Sequence, residues 1–268
     1  MITRFAPSPT GPLHLGHAFS ALTAFEAAQQ AGGRFLLRIE DTDTTRSRSA
    51  WEAQIYEDLA WLGLSWEEPV LRQSANIAAY EAAISRLPTF ACICNRADIR
   101  AAMTAPQEHH GPDGLIYPGT CRGSGHGPEG AALRLDLGCA MGALPDMLRW
   151  YEGDVPQSYR TEDLPLQVGD IVVSRRDTGL AAYHLAVVVD DAAQGVTDVI
   201  RGKDLREATI IHVALQHLLG LPTPRYHHHR LIRDETGRRL AKRDDDRAIA
   251  AYRRDGLSPA DIRALVGL

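Results

Sequence analysis

The chain has 268 residues, enough to bury a sizeable core in one large domain or two modest ones. With 44% apolar and 24% charged residues it has the composition of an ordinary globular protein. Its 29 basic and 34 acidic side chains leave a net charge of −5, which argues against indiscriminate polyanion binding and leaves room for a local basic patch. No apolar run approaches the ~20 residues that span a bilayer and no signal-peptide pattern opens the chain, so the expected location is cytoplasmic, with no membrane partner.

Ile2 to Ala6 reads as a short strand, and Ala18 to Ala31 is a run of good helix formers. Between them stands "PSPTGPLHLGH", Pro7 to His17, a strand-to-helix crossing. The first turn of a helix offers unpaired backbone N–H groups and the positive end of its dipole, which suits phosphate oxygens. Gly16 removes a side chain where a flat base could approach the backbone. "RFLLRIEDTD", Arg34 to Asp43, predicts a second strand with Phe35, Leu36, Leu37 and Ile39 as a buried run. Ser47 or Ser49 is expected to cap a helix through Trp61, on which Ile55, Leu59 and Leu62 recur at helical spacing. Another helix is expected over Ser74 to Leu87.

From Thr104 to Gly130 the sequence is dense in Gly, Pro and His and reads as a loop-rich insertion. Cys92, Cys94 and Cys121 cluster around it, and in a reducing compartment such clustering points to metal ligation more than to disulfides. Cys139 is expected to be a buried small apolar residue. Ala131 to Leu137 and Asp170 to Val173 read as strands, while "AAYHLAVVVDD", Ala181 to Asp191, fits a helix or a strand. Ala208 to Leu219 has the pattern of an amphipathic helix, closed by Gly220 and Pro222. No internal repeat is visible.

"RFAPSPTGPLHLGH", "RIEDTD", "DVIRGKDL" and "GRRLAKR" stand in this order along the chain and together resemble the class I glutamyl-tRNA synthetases. "HLGH" resembles that class's HIGH motif, and Arg239 to Arg243 resembles its KMSKS loop in degraded form. Either motif alone is weak; both, separated by the pattern of a Rossmann-like parallel sheet, make a specific signal. Only 26 residues follow Lys242, enough for two short helices, whereas a glutamyl-tRNA synthetase continues into helical anticodon-binding domains. The short layout, the clustered cysteines and "AVVVDDAAQGVTDVIRG" resemble the glutamyl-Q tRNA(Asp) synthetases, paralogues built of the catalytic part alone.

The resemblance implies an α/β fold: a Rossmann-like catalytic domain with a parallel sheet, a zinc-bearing insertion, a short C-terminal helical segment and no anticodon-binding domain. The implied division is 1–87 and 166–225 for the two halves of the catalytic domain, 88–165 for the insertion, and 226–268 for the KMSKS-like loop and helical segment. The implied activity is ATP-dependent, tRNA-independent activation of L-glutamate by a monomeric ligase. Glutamate is then transferred to the queuosine base at the wobble position of tRNA(Asp). Two alternatives stay open: a synthetase-like fragment that charges the tRNA acceptor end, and a catalytically silent tRNA-binding module.

Residue by residue, the resemblance places ATP against Pro7, His14, Gly16, His17, Arg239, Lys242 and Arg243, with Mg²⁺ as its companion. His14, His17 and Lys242 are the expected catalytic groups; the simpler readings are a helix cap for the histidines and a solvated basic turn for the lysine. Arg230 stands where the family commonly has proline, and Ala241 where it has serine. Arg4, Phe5, Ala6, Pro7, Ser8, Glu40, Tyr183 and Arg201 are the implied glutamate-binding residues. The charges suit this, since Glu40 can pair with an ammonium while Arg4 and Arg201 hold a carboxylate. A surface ion pair of Arg201 with Asp198 or Asp204 is the competing reading. Cys92, Cys94, Cys121 and Tyr117 are the implied ligands of one structural zinc; His109, His110, His126 or a water compete for the fourth position. His227 and His229 are the two of the three consecutive histidines that could share a metal across one face of a strand. Arg38, Arg46, Arg48, Arg100, Arg122, Arg253 and Arg254 could assemble a basic face for tRNA.

Overall fold

The computed structural model describes residues 1–102, 110–232 and 247–268. The chain divides into a first unit, Met1–Ala75, Gly195–Arg206 and Arg225–Leu268, and a second, Asn76–Gln194 and Glu207–Pro224. The first unit opens with β1 (Ile2–Phe5), α1 (Leu15–Gln30), β2 (Arg34–Ile39), α2 (Ser49–Trp61) and β3 (Glu67–Arg72). The second follows with α3 (Ile77–Ile84), β4 (Thr89–Cys92), α4 (Arg96–Ala102), β5 (His110–Gly111), β6 (Gly114–Leu115) and β7 (Ala132–Leu135). It continues through α5 (Leu137–Ala140), β8 (Met147–Glu152), β9 (Val155–Arg160), α6 (Leu164–Gln167), β10 (Val172–Ser174) and α7 (Tyr183–Ala193). The chain returns to the first unit at β11 (Asp198–Gly202), gives α8 (Thr209–Leu219) to the second, and ends in the first with β12 (Arg225–His229), α9 (Ile249–Arg254) and α10 (Pro259–Val266).

In the first unit β2 pairs in parallel with β1 and β3, and β11 pairs in parallel with β12. Parallel strands need crossovers, and α1 supplies the one between β1 and β2. β11 starts beside the start of β1: the Ile2 carbonyl accepts the Thr197 N–H at 3.0 Å, and the Ile2 N–H donates to the Thr197 hydroxyl at 2.8 Å. The inward face of α1 is built from small residues, Ala18, Ala21, Ala24 and Ala28, with Phe19 and Leu22, so the helix lies close on the sheet. Thr3 on β1 donates across that contact to the Ala24 carbonyl at 2.8 Å. The same core takes in Ile55, Leu59 and Leu62, as their spacing predicts, and Ile262 and Val266 from α10.

In the second unit β7 pairs antiparallel with β4 and β10, and β8 and β9 form a hairpin. The segment Ala181–Asp191 resolves as a helix, α7. The buried Asp190 carboxylate on α7 accepts the Tyr80 hydroxyl at 2.9 Å and the Asn76 amide at 2.8 Å, tying α3 to α7. Helix α8 ends as expected at Gly220, whose φ of +62° suits a residue without a Cβ. Nine of its eleven residues are buried, so it is a core helix.

Several boundaries differ from the sequence reading. α1 begins at Leu15, three residues early, because His14 serves as its N-cap. Neither Ser47 nor Ser49 caps α2; Arg48 occupies that position without a side-chain cap, its N–H held by the Pro9 carbonyl at 3.0 Å. The expected helix from Ser74 starts only at Ile77, since the Ser74 N–H and hydroxyl are both taken by Asp41, at 2.8 and 2.5 Å. Cys139 is exposed, not buried: in the short α5 the inward positions are Leu137 and Ala140, and the thiol donates to Asp136, which caps that helix. Arg38 is fully buried and leaves the proposed basic face, while Arg46, Arg122 and Arg253 are engaged by Asp43, Asp170 and Glu57. No helix among the described residues is long and apolar enough to cross a membrane.

Candidate active site

The strand-to-helix crossing positions both histidines through the backbone. His14 Nδ1 accepts the Gly16 N–H at 3.1 Å, and His17 Nδ1 accepts the His14 N–H at 3.2 Å, a capping box made of two imidazoles. Their rings lie 3.8 Å apart between centroids. An Nδ1 that accepts carries no proton, so each neutral ring holds its proton on Nε2. The helix-cap reading and the phosphate-donor reading are therefore compatible: one nitrogen caps, and the other is a donor. The space beside Gly16 is filled by His14 itself. A Cβ on residue 16 would meet His14 Cε1 at 2.9 Å, so the glycine leaves room for the histidine's placement.

The residues assigned to glutamate in the first unit gather around the carboxyl ends of β1 and β2. Arg4 is buried on β1, and Phe5 and Pro7 are buried beyond it; Ala6 and Ser8 are half-buried. The Glu40 N–H donates to the Pro7 carbonyl at 3.1 Å, tying the end of β2 to the Pro-Ser-Pro leader. The Glu40 carboxylate lies 3.3 Å from the guanidinium of Arg38. The other acids of "EDTD" serve their own loop, Asp41 with Ser74 and Asp43 with Thr45 and Arg46. Arg201 on β11 is buried; its Nε donates to His228 at 3.1 Å and an Nη to the Leu205 carbonyl at 3.1 Å. Tyr183 opens α7 in the second unit, 40% exposed.

Gly237, Arg238, Arg239, Ala241, Lys242 and Arg243 lie outside the described residues, as does His109. The chain on both sides of the lysine segment is described, and it is fastened to α1 and its leading turn. On entry, His229 Nε2 accepts the Ser20 hydroxyl at 3.0 Å while its Nδ1 donates to the Arg230 carbonyl at 2.8 Å. Burial lowers the pKa of His229 below its ordinary value, against the opposing pull of the Arg230 carbonyl. Arg230 lies over the Phe19 ring at 4.6 Å and bonds the Val266 carbonyl, contacts a proline there could not make. On return, the Ile249 N–H donates to the Leu13 carbonyl at 2.8 Å, and Ala248 bridges to His14. His227 is held by Asp198 at 2.9 Å, so His227 and His229 have separate partners and form no metal pair.

Cys92, Cys94 and Cys121 bring their sulfurs within 4.8 Å of one another, the one such group of metal-ligating side chains among the described residues; neither His110 nor His126 belongs to it. A tetrahedral zinc with Zn–S bonds of about 2.3 Å separates its sulfurs by about 3.8 Å. Cys94 and Cys121 stand 3.5 Å apart, and the Tyr117 oxygen lies 3.4 Å from Cys92 and 3.7 Å from Cys94. The donor set and spacing fit such an ion. Without one, burial pushes the Tyr117 phenol and the Cys94 thiol up. Burial also opposes the Cys121 thiolate, but hydrogen bonds from Tyr117, the Ile93 backbone and the other thiols outweigh it and bring its pKa down.

Arg134 lies over the Tyr117 ring, with its guanidinium carbon 3.9 Å from the ring centre. Arg134 is fixed in turn by the Asp170 carbonyl at 2.8 Å. Sequence reasoning missed this arginine, which sits on β7 pointing out of an otherwise apolar strand; that interruption is the signal available.

The sequence matches the family described as tRNA synthetases class I (E and Q), catalytic domain, over residues 1–114 and 146–268. The glutamyl-Q tRNA(Asp) synthetase of Rhodobacter capsulatus is 54% identical, with 100% of each chain covered. That of Deinococcus radiodurans is 44% identical over 97% of this chain and 86% of its own. Among solved structures, the glutamate-tRNA synthetase of Elizabethkingia anophelis superposes with a TM-score of 0.77 at 26% identity, covering 99% of this chain and 61% of its own. The chain thus spans about three fifths of that synthetase's length. By sequence, by fold and by the motifs at the head of α1, the chain belongs to the class I tRNA synthetases of the glutamate and glutamine type, as their catalytic domain.

Proposed function

We propose that the chain activates L-glutamate with ATP, without tRNA, and transfers it to the queuosine base at the wobble position of tRNA(Asp). The observation that carries this reading is the end-to-end match, at 54% identity, to a relative bearing that activity in its name. In the first step a glutamate α-carboxylate oxygen attacks the α-phosphorus of ATP in line, the bond to the β-phosphate bridge breaks, and pyrophosphate leaves. In the second a hydroxyl of the modified base attacks the glutamyl carbonyl and AMP leaves, giving an ester.

Little covalent work falls to the protein in the first step; it must bring two anions together and neutralise charge. His14 and His17, with Nε2–H fixed by their capping bonds, donate to phosphate oxygens as charge builds there. Pro7 and Gly16 form the floor of the nucleotide site, and Arg239, Lys242 and Arg243 clamp the phosphates together with Mg²⁺. Support for the clamp comes from the fastenings at His229 and Ile249, which tie both flanks of the lysine segment to the helix carrying the histidines. Arg4 and Arg201 hold the glutamate side-chain carboxylate, Glu40 its ammonium, and the Phe5–Ser8 backbone its remaining polar atoms; Tyr183 is the glutamate-binding residue assigned on the second unit.

In the second unit a zinc held by Cys92, Cys94, Cys121 and Tyr117 would supply structural cross-linking, fastening β4 to the loop before β7. A cytoplasmic, monomeric enzyme fits these assignments. Pyrophosphate exchange with glutamate, ATP and Mg²⁺ tests the first step; activity without tRNA supports the reading, and strict dependence on tRNA refutes it.

A further inference from the structure

Beneath the exposed ring of Tyr183 the second unit buries a polar chain that the chemistry above does not use. His184 on α7 and His212 on α8 are 6% and 2% exposed, and His184 Nδ1 lies 2.9 Å from His212 Nε2. His184 Nε2 lies 3.2 Å from Oδ1 of Asp113, at the tip of the β5–β6 hairpin. A carboxylate can only accept, so the proton of that contact sits on His184 Nε2. A ring that carries one proton then accepts at Nδ1, and the proton of the second contact belongs to His212 Nε2. The bonds run one way: His212 donates to His184, and His184 donates to Asp113.

Such a chain fixes the rotation of both imidazoles, and both touch Tyr183. The Tyr183 ring lies 5.2 Å from His184, edge to face, and 6.0 Å from His212. A tyrosine that is 40% exposed loses rotamer freedom when it is made to hold one direction, and two locked rings at its base supply that constraint in advance. Two imidazoles alone could swap donor and acceptor; the carboxylate at one end removes that freedom, which is a reason for Asp113 to reach in from a hairpin tip.

We propose that Asp113, His184 and His212 are positioning residues that hold the Tyr183 ring in its glutamate-binding direction, so that the β5–β6 hairpin sets the affinity for the amino acid. This rests on the assignment of Tyr183 to glutamate. The test uses pyrophosphate exchange with His212→Ala, His212→Gln, Asp113→Ala and Tyr183→Phe, alongside the ring NMR signals of labelled tyrosine, with that of Tyr183 identified by its loss in Tyr183→Phe. His212→Ala is expected to shift the Tyr183 signal and raise KM for glutamate about 10-fold, with KM for ATP unchanged and kcat within about 2-fold. His212→Gln, which keeps a donor toward His184, recovers most of the loss, and Asp113→Ala acts in the same direction by about 3-fold. Combined with Tyr183→Phe, His212→Ala adds little further.

The proposal is overturned if His212→Ala leaves the Tyr183 signal and the glutamate KM unchanged, or raises both KM values alike, while Tyr183→Phe still weakens glutamate binding. Asp113→Ala, exposed and far from the core, decides the matter in the same way if the His212 variants fail to fold. If Tyr183→Phe leaves glutamate KM unchanged while His212→Ala still moves the Tyr183 signal, the assignment of Tyr183 to glutamate falls and the positioning chain stands.

Discussion

His14 is asked to do two things at once, and one substitution separates them. Asparagine is among the best N-cap residues, so His14→Asn keeps an acceptor for the Gly16 N–H but has nothing in place of the imidazole Nε2–H. His14→Ala loses both. Loss of a side-chain cap costs about 1 kcal/mol, which at this chain length lowers Tm by about 2–4 °C. Loss of a preorganised donor to a transition-state oxyanion costs about 2.7–4 kcal/mol, a factor of about 10²–10³ in rate. Thermal unfolding and glutamate-dependent pyrophosphate exchange read the two effects independently. The expected result is a His14→Asn variant with the parent's Tm and exchange slowed by at least about 10²-fold, and a His14→Ala variant equally slow and less stable. Exchange by His14→Asn within about 3-fold of the parent would leave the histidine as a cap alone and refute the phosphate-donor role.

Gly16→Ala places a Cβ 2.9 Å from His14 Cε1 and must turn that ring; exchange is expected to slow about 10-fold while Tm holds, since alanine is the better helix former by about 1 kcal/mol. Elemental analysis of the purified chain should find one zinc per molecule, and Cys121→Ser should lose it together with several degrees of Tm; full-length chain with no metal and unchanged Tm in Cys121→Ser would remove the zinc from the account. His229 has a folded pKa below its ordinary 6.5, so the unfolded chain binds the proton first as pH falls. Its contribution to stability is complete above pH 6.5 and is lost as pH drops from there through the lowered value. Urea unfolding at pH 8 and pH 5.5 should therefore show a smaller pH-dependent loss in His229→Gln than in the parent, and equal losses would contradict the reading.

The parts of this molecule that were legible in its sequence are those where backbone geometry dictates residue type. The Pro-Gly-rich leader announced a crossing, apolar runs announced β1 and β2, and the Cys-x-Cys spacing announced a cluster that the fold closes with Cys121. Periodicity says little where polar residues are buried along with apolar ones. α8 looks amphipathic because Thr209, His212 and Gln216 are polar, yet all three are buried. A local rule failed where a distant partner intervened, since Asp41 reaches across to Ser74 and delays α3, and another failed on a short helix, where the capping Asp136 holds the Cys139 thiol at the surface. His184 and His212 are 28 positions apart, each unremarkable in its helix, and only the packing of α7 on α8 makes them a pair. Arg201 is buried on β11, where Asp198, Val199 and Ile200 are buried as well, a burial that a lone arginine in a sequence does not announce.

The most direct measurement follows labelled glutamate, with ATP and Mg²⁺, into tRNA(Asp) that carries queuosine and into the same tRNA lacking it. The account predicts label on the queuosine-bearing tRNA alone, with pyrophosphate exchange already present before any tRNA is added. Equal labelling of both tRNAs, or exchange that appears only with tRNA, would contradict it.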